Sequence, residues 1–215
     1  MPMGRWEPNA RDRLAQAAMT LFQEHGYDRT TVEEIAARAG LTERTFFRYF
    51  TDKKEVLFGG SDALHERIVT TIAGAPQGTA PLDAVATALD AMAPFFKDRR
   101  EHARARQALL AAHADLRERE LIKLASLASA AADTLRKRGV TEPTASLAAE
   151  AGIAVFKVAF ERWLEDPKEQ DLSRHIQLGL DELRAVTAST GPVAPAVAPA
   201  APPQRPTRPA RARKP

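Results

Sequence analysis

Residues 31 to 50, TVEEIAARAGLTERTFFRYF, decide the fold of this chain. They combine two short runs of helical periodicity with a central glycine, Gly40, where a helix ends most easily. The apolar positions that would face inward are Val32, Ile35, Ala36, Ala39, Leu41, Phe46 and Phe50. This spacing predicts a helix-turn-helix, in which the inward side chains fix the crossing of two helices and the second helix is free to enter a major groove.

Capping residues set the bounds of the predicted helices. Thr31 is an N-cap residue with Glu34 as its reciprocal partner, and Thr42 caps the second helix of the motif. Residues 52 to 55, DKKE, predict a further capping box. We expect this box to open one longer helix that runs to about residue 73.

The string over residues 31 to 50, with DKKE after it, resembles the tetracycline-repressor-like (TetR) family of bacterial transcription regulators. The motif covers residues 10 to 57, and the remainder matches the family only in length and helicity. The version from Glu43 to Phe50 looks like that of a high-GC actinobacterial subgroup whose C-terminal domains include acyl-CoA responders. The resemblance implies a homodimer that binds palindromic operator DNA and is released by a small hydrophobic effector.

The outer face of the second helix carries the candidate DNA-binding residues. Arg44 and Arg48 can each pair with guanine O6 and N7, and Phe47 can pack on a thymine methyl group. The hydroxyl and ammonium groups that suit phosphates belong to Thr42, Thr45, Tyr49 and Lys53. The complete candidate set is Thr31, Thr42, Glu43, Arg44, Thr45, Phe47, Arg48, Tyr49 and Lys53. Residues 38 to 54 carry a net charge of +3, which favours DNA over the alternative of a merely solvated helix surface.

The chain beyond residue 58 continues as helices, because apolar positions recur at three and four residues and β-branched alternation is nearly absent. The sequence therefore predicts an all-α protein of about nine helices. A helix-turn-helix DNA-binding domain would span residues 1–57, and a larger ligand-binding and dimerisation domain would span residues 58–187. Residues 188–215 are rich in Pro, Ala and Arg and predict a disordered tail. Since this tail carries five positive charges, the net charge of +3 does not by itself indicate nucleic acid.

The apolar stripe that follows residue 81 is the candidate effector site. Leu89, Met92 and Phe96 would supply an apolar wall. Arg106 and His113 would add polar or anion-seeking groups near the mouth of the pocket. A lipophilic ligand with an anionic part, such as an acyl thioester, suits this mixture. The alternative is that the apolar positions only pack the core of the domain.

The last two helices are the candidate dimer interface. The helix after Pro143 is apolar on more than one face, so it needs two packing partners. One partner is its own domain and the other is a second subunit, whose two-fold symmetry would match palindromic half-sites. The candidate interface residues are Val155, Val158, Trp163, Ile176, Leu180 and Leu183. The alternative is that both helices only close the core of the monomer.

Other classes of function lack support in the sequence. The chain has no cysteine, which excludes disulfides, thiolate metal sites and cysteine nucleophiles. The histidines lack metal-ligand spacing, and no Gly-rich phosphate loop or Gly-x-Ser-x-Gly elbow occurs. We therefore expect a cytoplasmic protein without enzymatic activity, cofactor, metal or membrane span. Two alternatives remain: an activator or architectural regulator without an effector, and a small-molecule-binding or enzymatic helical protein that has lost DNA binding.

Overall fold

The computed structural model describes residues 10–168 and 170–188, and no strand occurs in this part of the chain. Its helices are α1 (Ala10–His25), α2 (Val32–Arg38), α3 (Glu43–Tyr49), α4 (Ser61–Gly74), α5 (Pro81–Asp90), α6 (Arg100–Ala112), α7 (Ala114–Lys137), α8 (Thr144–Glu165) and α9 (Leu172–Ala188). Two short 3-10 helices, Lys54–Phe58 and Ala93–Phe96, precede α4 and α6. The all-α prediction is confirmed. Within the described residues, no helix has both the length and the apolar character that a bilayer crossing requires.

The predicted tail, apart from Ala188 at the end of α9, lies outside the described residues.

The turn between α2 and α3 forms as the sequence predicts. Thr31 Oγ1 accepts a hydrogen bond from the N–H of Glu34 (3.2 Å), and Glu34 Oε2 accepts one from the N–H of Thr31 (2.8 Å). Gly40 has a φ of +65°, which a residue with a Cβ adopts only with strain. Thr42 Oγ1 accepts a hydrogen bond from the N–H of Thr45 (3.3 Å) and caps α3. Both predicted caps and the glycine turn are therefore present.

The prediction of one continuous helix from Asp52 to about residue 73 is wrong. Asp52 Oδ1 accepts a hydrogen bond from the N–H of Glu55 (3.0 Å), but the Glu55 carboxylate pairs with side chains of α7 instead of returning that bond. Only a 3-10 turn follows, and it ends at a pair of glycines. A Cβ on Gly60 would lie 2.4 Å from the ring of Phe95, so a side chain there would require that ring to move. The link between the helix-turn-helix and α4 is therefore a 3-10 turn and a glycine pair instead of one continuous helix.

Two hydrophobic cores hold the helices together. The larger core joins α4, α5, α7, α8 and α9. The smaller core joins α1, α2, α3 and the first 3-10 helix, and it also includes Leu110 and Leu116 from the two sides of the corner between α6 and α7. These two leucines are 1% and 0% exposed. Since burying a leucine contributes about 1.5 to 3 kcal/mol, this corner is firmly tied to the helix-turn-helix.

α8 is the central helix of the larger core, and it packs against α5, α7 and α9. A glycine permits its close approach to α5, because a Cβ on Gly152 would lie 2.3 Å from Cγ1 of Val85. Both residues are buried. Val85 is β-branched and has few alternative rotamers, so it cannot easily move away.

We expect Gly152→Ala to destabilise the fold. The added methyl group should cost about 1 to 3 kcal/mol by overpacking, which exceeds the gain of ~0.5 to 1 kcal/mol from replacing glycine inside a helix. The matched control is Gly74→Ala at the end of α4, where a Cβ would meet nothing within 4 Å. Urea denaturation measures both free energies of unfolding. A Gly152→Ala variant as stable as Gly74→Ala would contradict the packing of α8 on α5.

Candidate nucleic-acid interface

α3 turns one face to the core and the other outward. Phe46 has no exposed surface, and its ring packs against that of Phe50 with a centroid distance of 5.5 Å. The opposite face brings together four of the predicted residues, which line one shallow surface depression: Arg44, Thr45, Phe47 and Arg48. Phe47 is 54% exposed, and Glu43 is exposed beside it at the start of the helix. An aromatic ring and two guanidinium groups thus share one open surface.

Arg44 and Arg48 retain uncompensated charges. Neither forms an ion pair with any residue that the structure describes. The one side-chain hydrogen bond that Arg48 makes within the described residues goes from Nη2 to Oη of Tyr49, at 3.1 Å. Both guanidinium groups therefore present a full positive charge to the solvent in front of α3.

Other cations of residues 38 to 54 are engaged by the protein. Arg38 forms a bidentate pair with Glu24 at 2.8 and 3.0 Å, and this hydrogen-bonded pairing lowers the pKa of Glu24. Lys54 lies 3.6 Å from Asp115 on α7. The net charge of +3 counted along the sequence therefore overstates the positive charge of the surface around α3. Arg44 and Arg48 carry the exposed positive charge on the outer face of this helix.

The side-chain ammonium group of Lys53 is hydrogen-bonded to main-chain carbonyl groups. Its ammonium donates hydrogen bonds to the carbonyl oxygens of Tyr27, Asp28 and Thr30 at 2.8, 3.2 and 3.1 Å. It also lies 4.4 Å from the ring centroid of Tyr27. An ammonium group has three donors, so all of them are used in holding the connection between α1 and α2. A phosphate contact by Lys53 stays a prediction that requires the ammonium to leave these carbonyls.

The threonine hydroxyls take part in helix caps. Thr31 Oγ1 lies 3.2 Å from Glu34 Oε2, in addition to accepting a main-chain bond. The hydroxyls of Thr42 and Thr45 contact each other at 3.1 Å. The predicted phosphate contacts of Thr42 and Thr45 therefore have to share oxygens that already stabilise the start of α3, and the hydroxyl of Thr31 is likewise used at the start of α2.

The five predicted ligand-binding residues fall into two groups, of which the first is apolar. Leu89 and Met92 are 0% and 1% exposed within the larger core. The half-buried ring of Phe96 joins an aromatic cluster at the edge of that core with Phe156, Phe160 and Trp163. This part of the predicted wall is continuous and closely packed.

The two polar members contact the helix-turn-helix unit, and their place at the mouth of this wall stays a prediction. Arg106 donates to the carbonyl oxygen of Leu57 (2.8 Å) and pairs with Glu120 (2.9 Å). The ring of His113 lies 4.9 Å from the ring of Tyr27. Burial, with the charge of nearby acids, raises the pKa of Tyr27 to about 12, so its phenol stays protonated.

A carboxylate and two cations form an ionic connection between the first 3-10 helix and α7, and none of them is among the residues predicted from the sequence. Glu55 pairs with Arg119 at 2.5 Å and with Lys123 at 3.3 Å. Burial alone would raise the pKa of Glu55, but the hydrogen bond from Arg119 and the charge of Lys123 lower it. The pairing thus stabilises the fold above the unfolded-state pKa of Glu55 and is lost as the pH falls through the folded-state pKa. No local sequence signal links groups 64 residues apart.

Two further arginines of α6, Arg100 and Arg104, contact the end of α8. Arg100 Nη2 donates to the carbonyl oxygen of Trp163, and its guanidinium lies 5.1 Å from the indole centroid. Arg104 Nε donates to the carbonyl oxygen of Leu164 at 2.7 Å. These cations sit at the C-terminus of α8, where the helix dipole favours positive charge. Their spacing on α6 was visible in the sequence, but their partner helix was not.

The predicted dimer residues lie mostly inside the subunit. Four of them are buried in the larger core: Val155, Trp163, Ile176 and Leu180. Leu183 packs against that core and is partly buried. Val158 is 44% exposed, so it is the member of the set that a second subunit could reach directly.

Comparisons with known proteins match both parts of the chain. Residues 14–59 match the family described as "Bacterial regulatory proteins, tetR family", and residues 79–188 match the "MftR C-terminal domain". The transcriptional regulator TcmR of Streptomyces glaucescens is 38% identical over 88 residues, which are 41% of this chain and 39% of TcmR. The mycofactocin biosynthesis regulator MftR of Mycobacterium tuberculosis is 33% identical over 57 residues, 26% of this chain and 29% of MftR. The chain thus spans about two fifths or less of these relatives' length.

Solved structures share the fold. A TetR-family regulator from Syntrophomonas wolfei superposes with a TM-score of 0.61 at 17% identity, covering 86% of this chain and 98% of that one. The SmeT–triclosan complex gives a TM-score of 0.55 at 24% identity and covers 91% and 99%. FadR from Bacillus subtilis with stearoyl-CoA gives 0.57 at 19% identity and covers 80% and 96%.

We expect Lys53→Met to lower the free energy of unfolding by about 1 to 3 kcal/mol, because two partly buried carbonyl groups and one exposed carbonyl group lose a charged donor. The matched control is Lys54→Met, whose ion pair with Asp115 is exposed and should contribute less than ~1 kcal/mol. Thermal and urea denaturation measure both effects. If the two variants were equally stable, the ammonium of Lys53 would not hold the connection between α1 and α2.

Proposed function

The chain belongs to the tetR family of bacterial regulatory proteins, and we propose that it is a ligand-responsive repressor that binds palindromic operator DNA as a homodimer and is released by a small hydrophobic effector. One observation carries the DNA-binding role: the outer face of α3 presents two guanidinium groups without carboxylate partners among the described residues. A folded protein gains little stability from such a surface. A major groove, which offers guanine O6 and N7 acceptors, is the surface that fits it.

The other side of α3 supports the same role. Complete burial of Phe46 fixes the rotation of the helix, so Arg44, Phe47 and Arg48 face one way. Phe47 occupies the middle of this surface and can pack on a thymine methyl group. Base reading therefore rests on these three side chains, while Thr31, Thr42, Thr45, Tyr49 and Lys53 are the candidates for phosphate contacts.

Selection from a randomised duplex pool tests DNA binding. The wild type should enrich a palindrome whose half-sites are centred about one helical turn, roughly 34 Å, apart. Arg44→Ala and Arg48→Ala should each weaken the preference at a different base pair by ~1 to 3 kcal/mol. The matched control is Arg67→Ala, an exposed arginine on α4. The proposed role fails if the wild type enriches no sequence, and α3 is not the reader if both variants keep the wild-type preference.

The homodimer would form on the outward face of α8 and α9. Leu147 and Val158 are 65% and 44% exposed, and Ala151 and Ala154 lie between them at spacings that place all four on one side of α8. On α9, Val186 is 74% exposed. The buried members of the predicted set then support this face from behind. An apolar stripe of this kind on two adjacent helices suits an isologous contact with a second copy.

Val158→Arg should dissociate the dimer, since it places two like charges near the two-fold axis without touching the core. The matched control is Thr70→Arg, which adds the same charge to an exposed position on α4. Sedimentation equilibrium should give a monomer for the first variant and a dimer for the second. A dimer of unchanged affinity for Val158→Arg would place the interface elsewhere.

The effector would bind at the aromatic cluster around Phe96. This cluster lies where α8 meets the second 3-10 helix, and Arg100 borders it through its contact with Trp163. Arg99 lies 4.9 Å from the ring centroid of Phe95 next to it. Aromatic rings beside guanidinium groups suit a lipophilic ligand with an anionic part, such as an acyl-CoA. Because Leu89 and Met92 are fully packed, such a ligand has to displace aromatic rings to enter.

Coupling to DNA would pass through the corner between α6 and α7. The link before α4 is a 3-10 turn followed by two glycines, and we do not expect it to transmit movement as one continuous helix would. Leu110 and Leu116, by contrast, lie in the core of the helix-turn-helix. Glu55 ties the same unit to α7 through Arg119 and Lys123. A ligand that shifts α6 would therefore change the distance between the α3 helices of the two subunits of the dimer.

Reciprocal binding tests this coupling. Acyl-CoAs of graded chain length, starting with stearoyl-CoA, are screened for those that raise the melting temperature. A ligand found in this way should bind about 5- to 150-fold more weakly when the selected duplex is present. Glu55→Gln should reduce this factor while leaving ligand affinity without DNA unchanged. Equal affinities with and without DNA would exclude induction and favour a regulator without an effector.

A further inference from the structure

Arg48 and Tyr49 form a pair at the end of α3. Arg48 Nη2 donates a hydrogen bond to Tyr49 Oη at 3.1 Å, and the guanidinium carbon lies 4.9 Å from the centroid of the same ring. Two contacts thus hold one guanidinium. Tyr49 is the anchored partner, because its ring is half-buried and packs against the core of the helix-turn-helix. Arg44 on the same face is exposed and has no comparable contact within the described residues.

We propose that Tyr49 is a positioning residue that aims the guanidinium of Arg48 for base reading, so that the two side chains determine sequence specificity as one unit. This inference rests on the proposed DNA-binding function. It assigns Tyr49 a role different from the phosphate contact that its hydroxyl first suggests.

The hydrogen-bonding capacity of the pair allows this role. A guanidinium carries five N–H donors, and one of them is used on the phenol oxygen. Four donors remain, and a bidentate contact with guanine O6 and N7 needs two. Arg48 can therefore read a base without releasing Tyr49.

The neutrality of the phenol matters as well. A carboxylate partner would also fix the guanidinium, but it would cancel the charge and compete with the acceptors of guanine. A phenol oxygen and an aromatic face hold the cation while leaving its charge intact. Arg48 consequently enters the groove with its side chain already ordered, whereas Arg44 has to be ordered on binding. We expect the base preference at the position of Arg48 to be the sharper of the two.

The test uses the duplex that the full-length wild-type chain selects from a randomised pool, together with its single-base variants. Arg48→Ala should flatten the preference at one base pair in each half-site. Tyr49→Phe keeps the ring and removes the hydrogen bond, and it should lower the preference at that same base pair about three- to ten-fold, leaving the Arg44 position unchanged. Tyr49→Leu removes both contacts and should approach the effect of Arg48→Ala. Tyr27→Phe, which removes the hydroxyl of the other tyrosine, is the matched control.

Two results would overturn the inference while leaving the proposed function intact. In the first, Tyr49→Phe lowers affinity equally for all duplexes and reduces the salt dependence, which would make Tyr49 a phosphate contact only. In the second, Tyr49→Phe keeps the wild-type preference at every position. Failure of the wild type to select any duplex would instead refute the proposed function itself. Melting temperatures of all variants establish that they are folded.

Discussion

The burial of Phe46 is the constraint on which the rest of the helix-turn-helix depends. α3 has only seven residues, and a helix of that length does not hold its conformation or its rotation in water by itself. A ring without exposed surface, packed against Phe50, supplies both. Once Phe46 points inward, the direction of Arg44, Phe47 and Arg48 follows from helical geometry. The Thr31 and Thr42 caps then determine where the two helices begin.

Some cations near α3 have partners within the protein and others do not, and this difference determines where positive charge is exposed on the surface. Nothing in the sequence separates the exposed cations around α3 from those that have partners. The fold, however, pairs Arg38 with Glu24 and directs Lys53 to main-chain carbonyl groups. Arg44 and Arg48 are left with their charges. A positive surface built from two side chains, rather than from a broad patch, favours recognition of particular bases over general attraction to phosphates.

The corner between α6 and α7 packs the larger part of the chain against the helix-turn-helix. Leu110 and Leu116 are buried in the core of the helix-turn-helix although they belong to the helices of the larger part. Glu55 adds an ionic connection between the same regions. The covalent link contains a 3-10 turn and a glycine pair, and Gly60 passes close to the ring of Phe95. Non-covalent packing thus adds a second connection between the two parts beside the covalent link.

The sequence by itself determined the features that depend on neighbours along the chain. The all-α class, the caps at Thr31 and Thr42, the turn at Gly40 and the outward face of α3 follow from local hydrogen bonding and helical periodicity. Only the tertiary structure decided which charges are paired. It also decided that Lys53 contacts the connection between α1 and α2, and that Arg106 and His113 contact the helix-turn-helix unit. The partners of such groups lie tens of residues away, and no periodic pattern encodes them. The same holds for Ile176 and Leu180, since an apolar stripe looks alike whether a helix packs against its own subunit or another.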